Sequence, residues 1–99
     1  MYTEKQIEQK LVMKIKQSGG IALKLTSPGN AGVPDRLVLI AYGKIGFVEV
    51  KAPKKKPRAL QIKRHKDLRD LGFKVFVLDN VDKIDEIINA IKGGDGNDL

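Results

Sequence analysis

Two apolar runs joined at a glycine constrain this chain more than any other feature, and they lie in GVPDRLVLIAYGKIGFVEVKAP, residues 32–53. Residues 35–42 and 45–51 are rich in aliphatic side chains and meet near Gly43, which predicts the two strands of a β-hairpin. The first run is apolar on both of its faces, as in a central strand that is covered on both sides. We therefore expect this hairpin in the interior of a sheet.

Three charged residues interrupt the apolar hairpin: Asp35, Glu49 and Lys51. Glu49 and Lys51 are two residues apart on one strand, so their side chains leave the same face of the sheet about 7 Å apart along the chain. A two-residue loop at 43–44 would turn Asp35 to the opposite face. A loop of odd length, such as 42–44, would set Asp35 across from Lys51 and diagonal to Glu49. We predict an odd-length connection or a bulge.

The rest of the chain alternates between helix and strand signals. Apolar spacing, capping residues and glycines predict three helices. The first is opened by a capping box at Thr3 and Gln6 and ends near residue 18, the second covers 58–71 and is stopped by Gly72, and the third covers 81–91 and is capped by Asp79 or Asn80. In addition to the hairpin, strands are predicted at 21–26 and 73–78, with a turn-rich loop at 27–32. The order helix, strand, strand, strand, helix, strand, helix describes an α/β fold, a small mixed sheet flanked by helices. With 99 residues, we expect a single domain at 1–92 and a disordered acidic tail at 93–99.

Composition narrows the class of protein. The lack of cysteine excludes a disulfide framework and a thiolate metal site. No apolar stretch is long enough to span a membrane and the first ten residues are polar, so we expect neither a spanning helix nor a signal peptide, and a cytoplasmic location. The net charge of +7 is concentrated in KAPKKKPR, residues 51–58. This excess favours a polyanion such as nucleic acid, with a solvated lysine-rich surface as the alternative.

The three hairpin charges have a chemical use if they meet. Two carboxylates at the end of a sheet repel each other unless a cation lies between them, and oxygen ligands suit Mg²⁺ or Mn²⁺. Such an ion polarises a phosphodiester and activates a water, while a neighbouring lysine orients that water and offsets charge on the phosphate. Asp35, Glu49 and Lys51 supply these groups. Taken by itself, the ExK pattern has the alternative of a surface ion pair on an edge strand.

Further candidates lie on the predicted helices. Glu8 falls inside the apolar face of the first helix, where a carboxylate needs a partner, whereas the helix dipole explains Glu4. We therefore favour Glu8, with a rim glutamate that reaches water as the alternative. Gln61, one turn into the second helix, can face the strand of Glu49 if that helix packs beside it. His65, the sole histidine, is expected on the helix surface or at a phosphate, because no Ser, Cys or second His supports a general base.

The segments GVPDRLVL, GFVEVKAP and LQIKRHKDLRDLGFKVFVLD together resemble the VRR-NUC domain of the PD-(D/E)XK nuclease superfamily. The signature of that family is GVPD, a hydrophobic strand, FVExKAP and a downstream glutamine, and all of these stand here in order. The resemblance covers nearly the whole chain and implies a restriction-endonuclease-like core. It implies that Mg²⁺ or Mn²⁺ is held by Asp35, Glu49 and the carbonyl of Val50, with Glu8 close by or bound through water, and that Lys51 assists the attacking water.

The activity implied by the resemblance is divalent-metal-dependent hydrolysis of phosphodiester bonds in DNA. Gln61 would position Lys51 or the phosphate. The basic residues expected to hold the DNA backbone are Arg36, Lys54, Lys55, Lys56, Arg58, Lys63 and Arg64. No helix suited to reading base sequence is evident, so we expect the shape of the DNA to be recognised.

Short free-standing members of the family are similar to junction-resolving enzymes, which implies a homodimer that acts on branched DNA. They are often phage-encoded, which would place the protein in the cytoplasm of a host cell. The alternatives are a non-catalytic nucleic-acid-binding protein with the same fold, and a nuclease subunit of a larger phage replication or repair assembly. A pure binding protein would have no need of the acidic residues and the lysine.

Overall fold

The computed structural model describes residues 1–93, so the expected acidic tail lies outside the described residues except for Gly93. Its elements, in chain order, are α1 (Glu4–Gln17), β1 (Ile21–Lys24), β2 (Arg36–Ile40), β3 (Lys44–Val50), α2 (Ala59–Asp70), β4 (Lys74–Leu78), a 3₁₀ turn (Val81–Lys83) and α3 (Ile84–Ile91). The predicted order of helices and strands is confirmed. The boundaries move by a few residues, most of all at α3, which begins three residues after the predicted limit.

The four strands form one mixed sheet in the order β1-β2-β3-β4. β1 pairs with β2, and β2 with β3, in antiparallel fashion, whereas β3 and β4 are parallel. The parallel pair requires a crossover, because the chain must return to the same end of the sheet, and α2 provides it. This is the small mixed sheet flanked by helices that the sequence predicts.

One face of the sheet carries the hydrophobic core under α1 and α3. Its aliphatic members include Ile7, Leu11 and Ile15 of α1, Val38, Val48, Val50 and Leu78 of the strands, and Ile84, Ile87, Ile88 and Ile91 of α3. Each such side chain stabilises the fold by about 1.5–3 kcal/mol when fully buried. The sheet and α3 touch so closely at Gly46 that a Cβ there would lie 2.6 Å from Ile91. This core holds the sheet against two helices and leaves its other face to α2 and the site.

The ends of the helices follow their predicted signals. Thr3 and Gln6 form the capping box of α1, each side chain bonding the other's main-chain N–H. Gly72 follows α2 with a φ of 97°, the left-handed conformation that favours glycine. Asn80 accepts a hydrogen bond from the N–H of Asp82. That bond starts a 3₁₀ turn, so α3 itself begins three residues later than predicted.

The connection between β2 and β3 determines which side chains share a face. Ile40 pairs with Lys44, which leaves three residues, 41–43, in the loop. The prediction of an odd-length loop is therefore confirmed, although the loop begins one residue earlier than in the example of 42–44. Tyr42, with a φ of 68°, is 97% exposed at the loop tip, whereas Ile40 is buried and closes the paired segment.

This register sets the partner of Asp35. Arg36 pairs with Val48, so the next step along the same ladder brings Asp35 opposite Glu49. A loop at 42–44 would have placed Asp35 opposite Lys51, two residues further along the second strand. The difference follows from the earlier loop, and it brings the two carboxylates closer together than the example required.

Candidate active site

Asp35 and Glu49 meet at the end of the β2–β3 hairpin, on the sheet face opposite the hydrophobic core. The carboxylate of Asp35 accepts a 2.8 Å hydrogen bond from the main-chain N–H of Val50. Its own carbonyl accepts a bond from the N–H of Leu25, 2.9 Å long, which ties this residue to the segment after β1 as well. Asp35 is thus held from both sides at the point where β2 begins.

Glu49 is a buried carboxylate, only 1% exposed. Burial, then the negative charge of Asp35 and a hydrogen bond shared with it, raise the pKa of Glu49 from 4.5 to about 8, while the charge of Lys51 acts in the opposite direction. The charge of Glu4 contributes to the rise as well. The charge of one carboxylate thus acts on a second, buried carboxylate, an arrangement that favours a bound cation.

Lys51 and Gln61 contact one oxygen of Glu49. The Nζ of Lys51 lies 3.7 Å from Oε2 of Glu49, and the Lys51 side chain is 15% exposed. Gln61 donates from Nε2 to the same oxygen at 3.0 Å, and its Oε1 accepts from the N–H of Arg58 at 2.8 Å. α2 therefore brings Gln61 to the E-x-K strand, as the sequence predicts. The residue that Gln61 holds is Glu49 rather than Lys51.

His65 lies beside the other oxygen of Glu49. The prediction of a helix-surface position for His65 is wrong, because the residue is only 2% exposed. Its Nε2 is 3.6 Å from Oε1 of Glu49, and among residues 1–93 neither atom has a hydrogen-bond partner. Burial, then the charges of Arg69 and Lys51, lower the pKa of His65. The spacing of four between Gln61 and His65 was the available signal, since it puts both on one face of a helix.

Glu8 and Arg36 are brought to each other. The Nε of Arg36 donates to Oε2 of Glu8 at 2.8 Å, and a second guanidinium nitrogen donates to the carbonyl of Ala22 at 3.1 Å. The sequence predicts that Glu8 needs a partner, because it falls inside the apolar face of α1. That partner is Arg36. Because both side chains are about one-fifth exposed and already paired, the structure does not bring Glu8 to the carboxylate pair or leave Arg36 as an open cation.

The remaining predicted DNA contacts form a cationic rim next to the site. Lys54, Lys55, Lys56, Arg58 and Lys63 are exposed, on the segment before α2 and on its first turns. Arg64 is half-buried and engaged, donating to the carbonyl of Ala31 at 3.0 Å and to Asp67 at 3.2 Å. The exposed lysines and Arg58 keep their charges available to an external anion.

The donor set fits a hard divalent cation. Asp35 and Glu49 offer carboxylate oxygens, one of them the buried and unpartnered Oε1 of Glu49. Within residues 1–93, no group of three or more His, Cys, Asp and Glu side chains is placed to hold a metal ion. An ion here would therefore take its other ligands from the main chain and water, as Mg²⁺ commonly does.

Among residues 1–93, no helix is long and apolar enough to cross a membrane.

Comparison with known proteins places this chain in a family, although no family model matches it. "Putative nuclease p44" of Acyrthosiphon pisum secondary endosymbiont phage 1 is 49% identical over 88 residues, which make up 89% of this chain and 94% of that protein. A solved structure described as a VRR_NUC domain has a TM-score of 0.82 and 32% identity, covering 89% of this chain and 97% of the other. The shared fold is the restriction-endonuclease-like core. With the carboxylate pair, lysine and glutamine in place, this chain belongs to the VRR-NUC family of nucleases, in its phage type.

Proposed function

We propose that the protein is a DNA endonuclease that depends on Mg²⁺ or Mn²⁺. The observation that carries this proposal is the buried Glu49, whose pKa is raised by the neighbouring charge of Asp35 and whose Oε2 lies 3.7 Å from the ammonium of Lys51. A buried carboxylate beside a second carboxylate destabilises a fold that has no use for it. Its presence at a strand end beside a lysine is what metal-assisted phosphodiester hydrolysis needs.

In this proposal the metal is held by Asp35, Glu49 and the carbonyl of Val50. When bound, the ion polarises the phosphate and lowers the pKa of a bound water. The hydrogen bond from the N–H of Val50 fixes the Asp35 carboxylate in place before any ion arrives. The two strands thus present their ligands in one orientation, which reduces the ordering that metal binding would otherwise require.

Lys51 is the proposed partner of the attacking water. Its ammonium lies 3.7 Å from Oε2 of Glu49, and its side chain is 15% exposed, against 2% for that of Glu49. From there it would orient the water and offset the negative charge that grows on the phosphate. Gln61 serves this arrangement through Glu49, whose Oε2 it holds at 3.0 Å.

The glutamate that α1 adds to the site is proposed to be Glu4. The charge of Glu4 acts on Glu49, and the side chain is exposed, whereas Glu8 is engaged by Arg36. A carboxylate in the first turn of α1 could hold a water of the metal's outer coordination sphere. Glu8 would then secure α1 to β2 through Arg36 rather than bind metal.

The DNA backbone is proposed to lie along the exposed cations Lys54, Lys55, Lys56, Arg58 and Lys63, which lead from the end of β3 into α2. Phosphate contacts of this kind fix position without reading bases, so DNA shape would decide the substrate. We propose branched DNA, in keeping with the likeness to junction-resolving enzymes. For a phage protein of this kind the place of action would be the host cytoplasm.

A homodimer is proposed, and one surface supports it. Ile21 and Leu23 of β1 pair with Leu39 and Leu37 of β2, which in turn pair with Ile45 and Phe47 of β3. All six side chains lie on the face that carries Glu49, away from the core, and three of them are more than a third exposed: Ile21, Leu23 and Ile45. An uncharged apolar face suits a second copy of itself better than it suits DNA.

A substrate panel tests the activity. The protein is incubated with labelled four-way junction, flap, nicked duplex and linear duplex, with Mg²⁺, Mn²⁺ or EDTA, beside the Asp35→Asn variant. We expect metal-dependent cleavage, strongest on the branched substrates, that Asp35→Asn lacks. Cleavage in EDTA would contradict the metal dependence. Salt-sensitive binding without cleavage of any substrate would instead identify a non-catalytic binding protein.

A further inference from the structure

α2 presents two buried polar side chains to one carboxylate. Gln61 and His65 are 8% and 2% exposed and lie one helical turn apart, and they face opposite oxygens of Glu49. Gln61 donates to Oε2 at 3.0 Å, while Nε2 of His65 lies 3.6 Å from Oε1. The distance from His65 is slightly too long for a hydrogen bond. Within the described part of the chain, it leaves a donor and an acceptor unpartnered in the same enclosed space.

The orientation of the Gln61 side chain makes it a hydrogen-bond donor from α2 to the Glu49 carboxylate. The Oε1 of Gln61 accepts from the N–H of Arg58 at 2.8 Å. This fixes the amide so that its nitrogen, and not its oxygen, faces Glu49. Gln61 thus acts as a donor with no freedom to flip, and it secures only one of the two oxygens.

We propose that His65 is a positioning residue whose Nε2–H donates to Oε1 of Glu49, so that Gln61 and His65 together fix both oxygens of the carboxylate. A shift of the imidazole by about 0.6 Å brings the pair to hydrogen-bond distance, which is typically about 3.0 Å. Either the neutral Nε2–H tautomer or the imidazolium supplies the proton, so the bond does not depend on the charge of the ring. The inference rests on the proposed role of Glu49 as a metal ligand.

The enclosed position of His65 argues against a direct chemical role. The imidazole lies on the α2 side of Glu49, with 3% of its side chain exposed, whereas Lys51 is 15% exposed. A group that exchanges a proton with the attacking water must reach that water, and His65 has no open path to it. What it can reach is the carboxylate that orients the metal. Groups that orient metal ligands commonly change metal affinity 10- to 100-fold when they are removed.

The test measures Mn²⁺ binding to the metal-free protein, by titration calorimetry and by the loss of the free-ion electron paramagnetic resonance signal. His65→Leu removes the donor, and His65→Gln keeps an amide N–H near the position of Nε2. We expect the Kd for Mn²⁺ to rise about 10- to 100-fold in His65→Leu and by less than about threefold in His65→Gln. Val75→Ala, a loss of buried packing on β4, serves as the matched control and should leave the Kd unchanged.

A second readout is independent of metal and separates this proposal from the proposed function. In the metal-free wild type, the Nε2 proton of His65 should give a slowly exchanging, downfield NMR resonance, and Glu49→Ala should abolish it. That resonance would support the bond even if the wild type bound no Mn²⁺. An equal Kd in His65→Leu and wild type, or the same loss in His65→Gln as in His65→Leu, would overturn the proposal. So would a resonance that Glu49→Ala leaves unchanged.

Discussion

The carboxylate of Asp35 and the main-chain N–H of Val50 are joined by a hydrogen bond of 2.8 Å. This bond links the start of β2 to the end of β3, where the register has already placed Asp35 opposite Glu49. One side chain thus has two uses, since it fixes the end of the hairpin and presents an oxygen to the site. Substitutions of Asp35 can separate the two uses.

Asp35→Asn retains an oxygen that accepts from Val50, whereas Asp35→Ala does not. We expect Asp35→Asn to unfold near the wild-type urea midpoint in EDTA, and Asp35→Ala to lose about 1–3 kcal/mol, because it leaves a buried N–H without a partner. Both should lose Mn²⁺ binding. Urea denaturation and calorimetry measure the two effects. Equal stability of the two variants would show that the bond to Val50 contributes nothing.

The raised pKa of Glu49 predicts how the stability of the metal-free protein depends on pH. The folded protein holds this proton up to about pH 8, whereas an ordinary glutamate loses it near 4.5, so the folded state binds it more tightly. The stabilisation is fully present below the lower value and is lost as the pH rises through the higher one. In EDTA, the melting temperature of the wild type should therefore fall more steeply across this range than that of Glu49→Gln. Parallel profiles would contradict the burial of an ionisable Glu49.

Glu4 and Glu8 are expected to respond in opposite ways. Glu4→Gln changes an exposed side chain whose charge acts on the site, so it should lower the cleavage rate with a change in stability within about 0.5 kcal/mol. Glu8→Gln weakens the pair with Arg36, so it should reduce the free energy of unfolding while the rate per folded molecule stays near that of the wild type. Chemical denaturation and single-turnover cleavage distinguish them. A reversed pattern would restore Glu8 as the glutamate of the site.

The apolar sheet face predicts where the proposed homodimer would have its interface. Replacing Ile21 and Leu23 by lysine puts two charges on exposed positions of β1, so the fold should persist while a dimer becomes a monomer. Tyr42→Lys, on the exposed loop tip, is the matched control and should leave the mass unchanged. Light scattering after size exclusion gives the masses. A dimer that survives the double lysine variant would place the interface elsewhere.

The sequence alone predicts the parity of the hairpin loop, because the alternation of side chains in each of its two strands must place the same residues on one face. Leu37, Leu39, Phe47 and Glu49 can share a face only if the connecting loop is odd, and the structure has three residues there. The loop lies at 41–43 rather than 42–44, and this register changes the partner of Asp35 from Lys51 to Glu49. No local pattern in the sequence records that shift.

The helices were harder to place because their rotation against the sheet is not encoded locally. Glu8 was correctly identified as a carboxylate that needs a partner, but the partner proved to be Arg36 on β2. His65 was assessed by its chemistry alone, without its position one turn from Gln61. In the structure, the side chains of Gln61 and His65 on α2 both face the carboxylate of Glu49. Spacing on a helix face would have been the better guide.

Lys51 is the residue on which the proposed metal-dependent cleavage beside Asp35 and Glu49 depends, and two alanine variants test that role. Single-turnover cleavage of a labelled four-way junction in Mn²⁺ is measured for the wild type, Lys51→Ala and Lys55→Ala, with binding of the same junction in EDTA as the second readout. Lys55 is an exposed lysine of the rim and the matched control. We predict a loss of roughly 10²- to 10³-fold in rate for Lys51→Ala with junction binding preserved, and a change of less than about threefold for Lys55→Ala. Equal rates for Lys51→Ala and the wild type would show that Lys51 takes no part in cleavage.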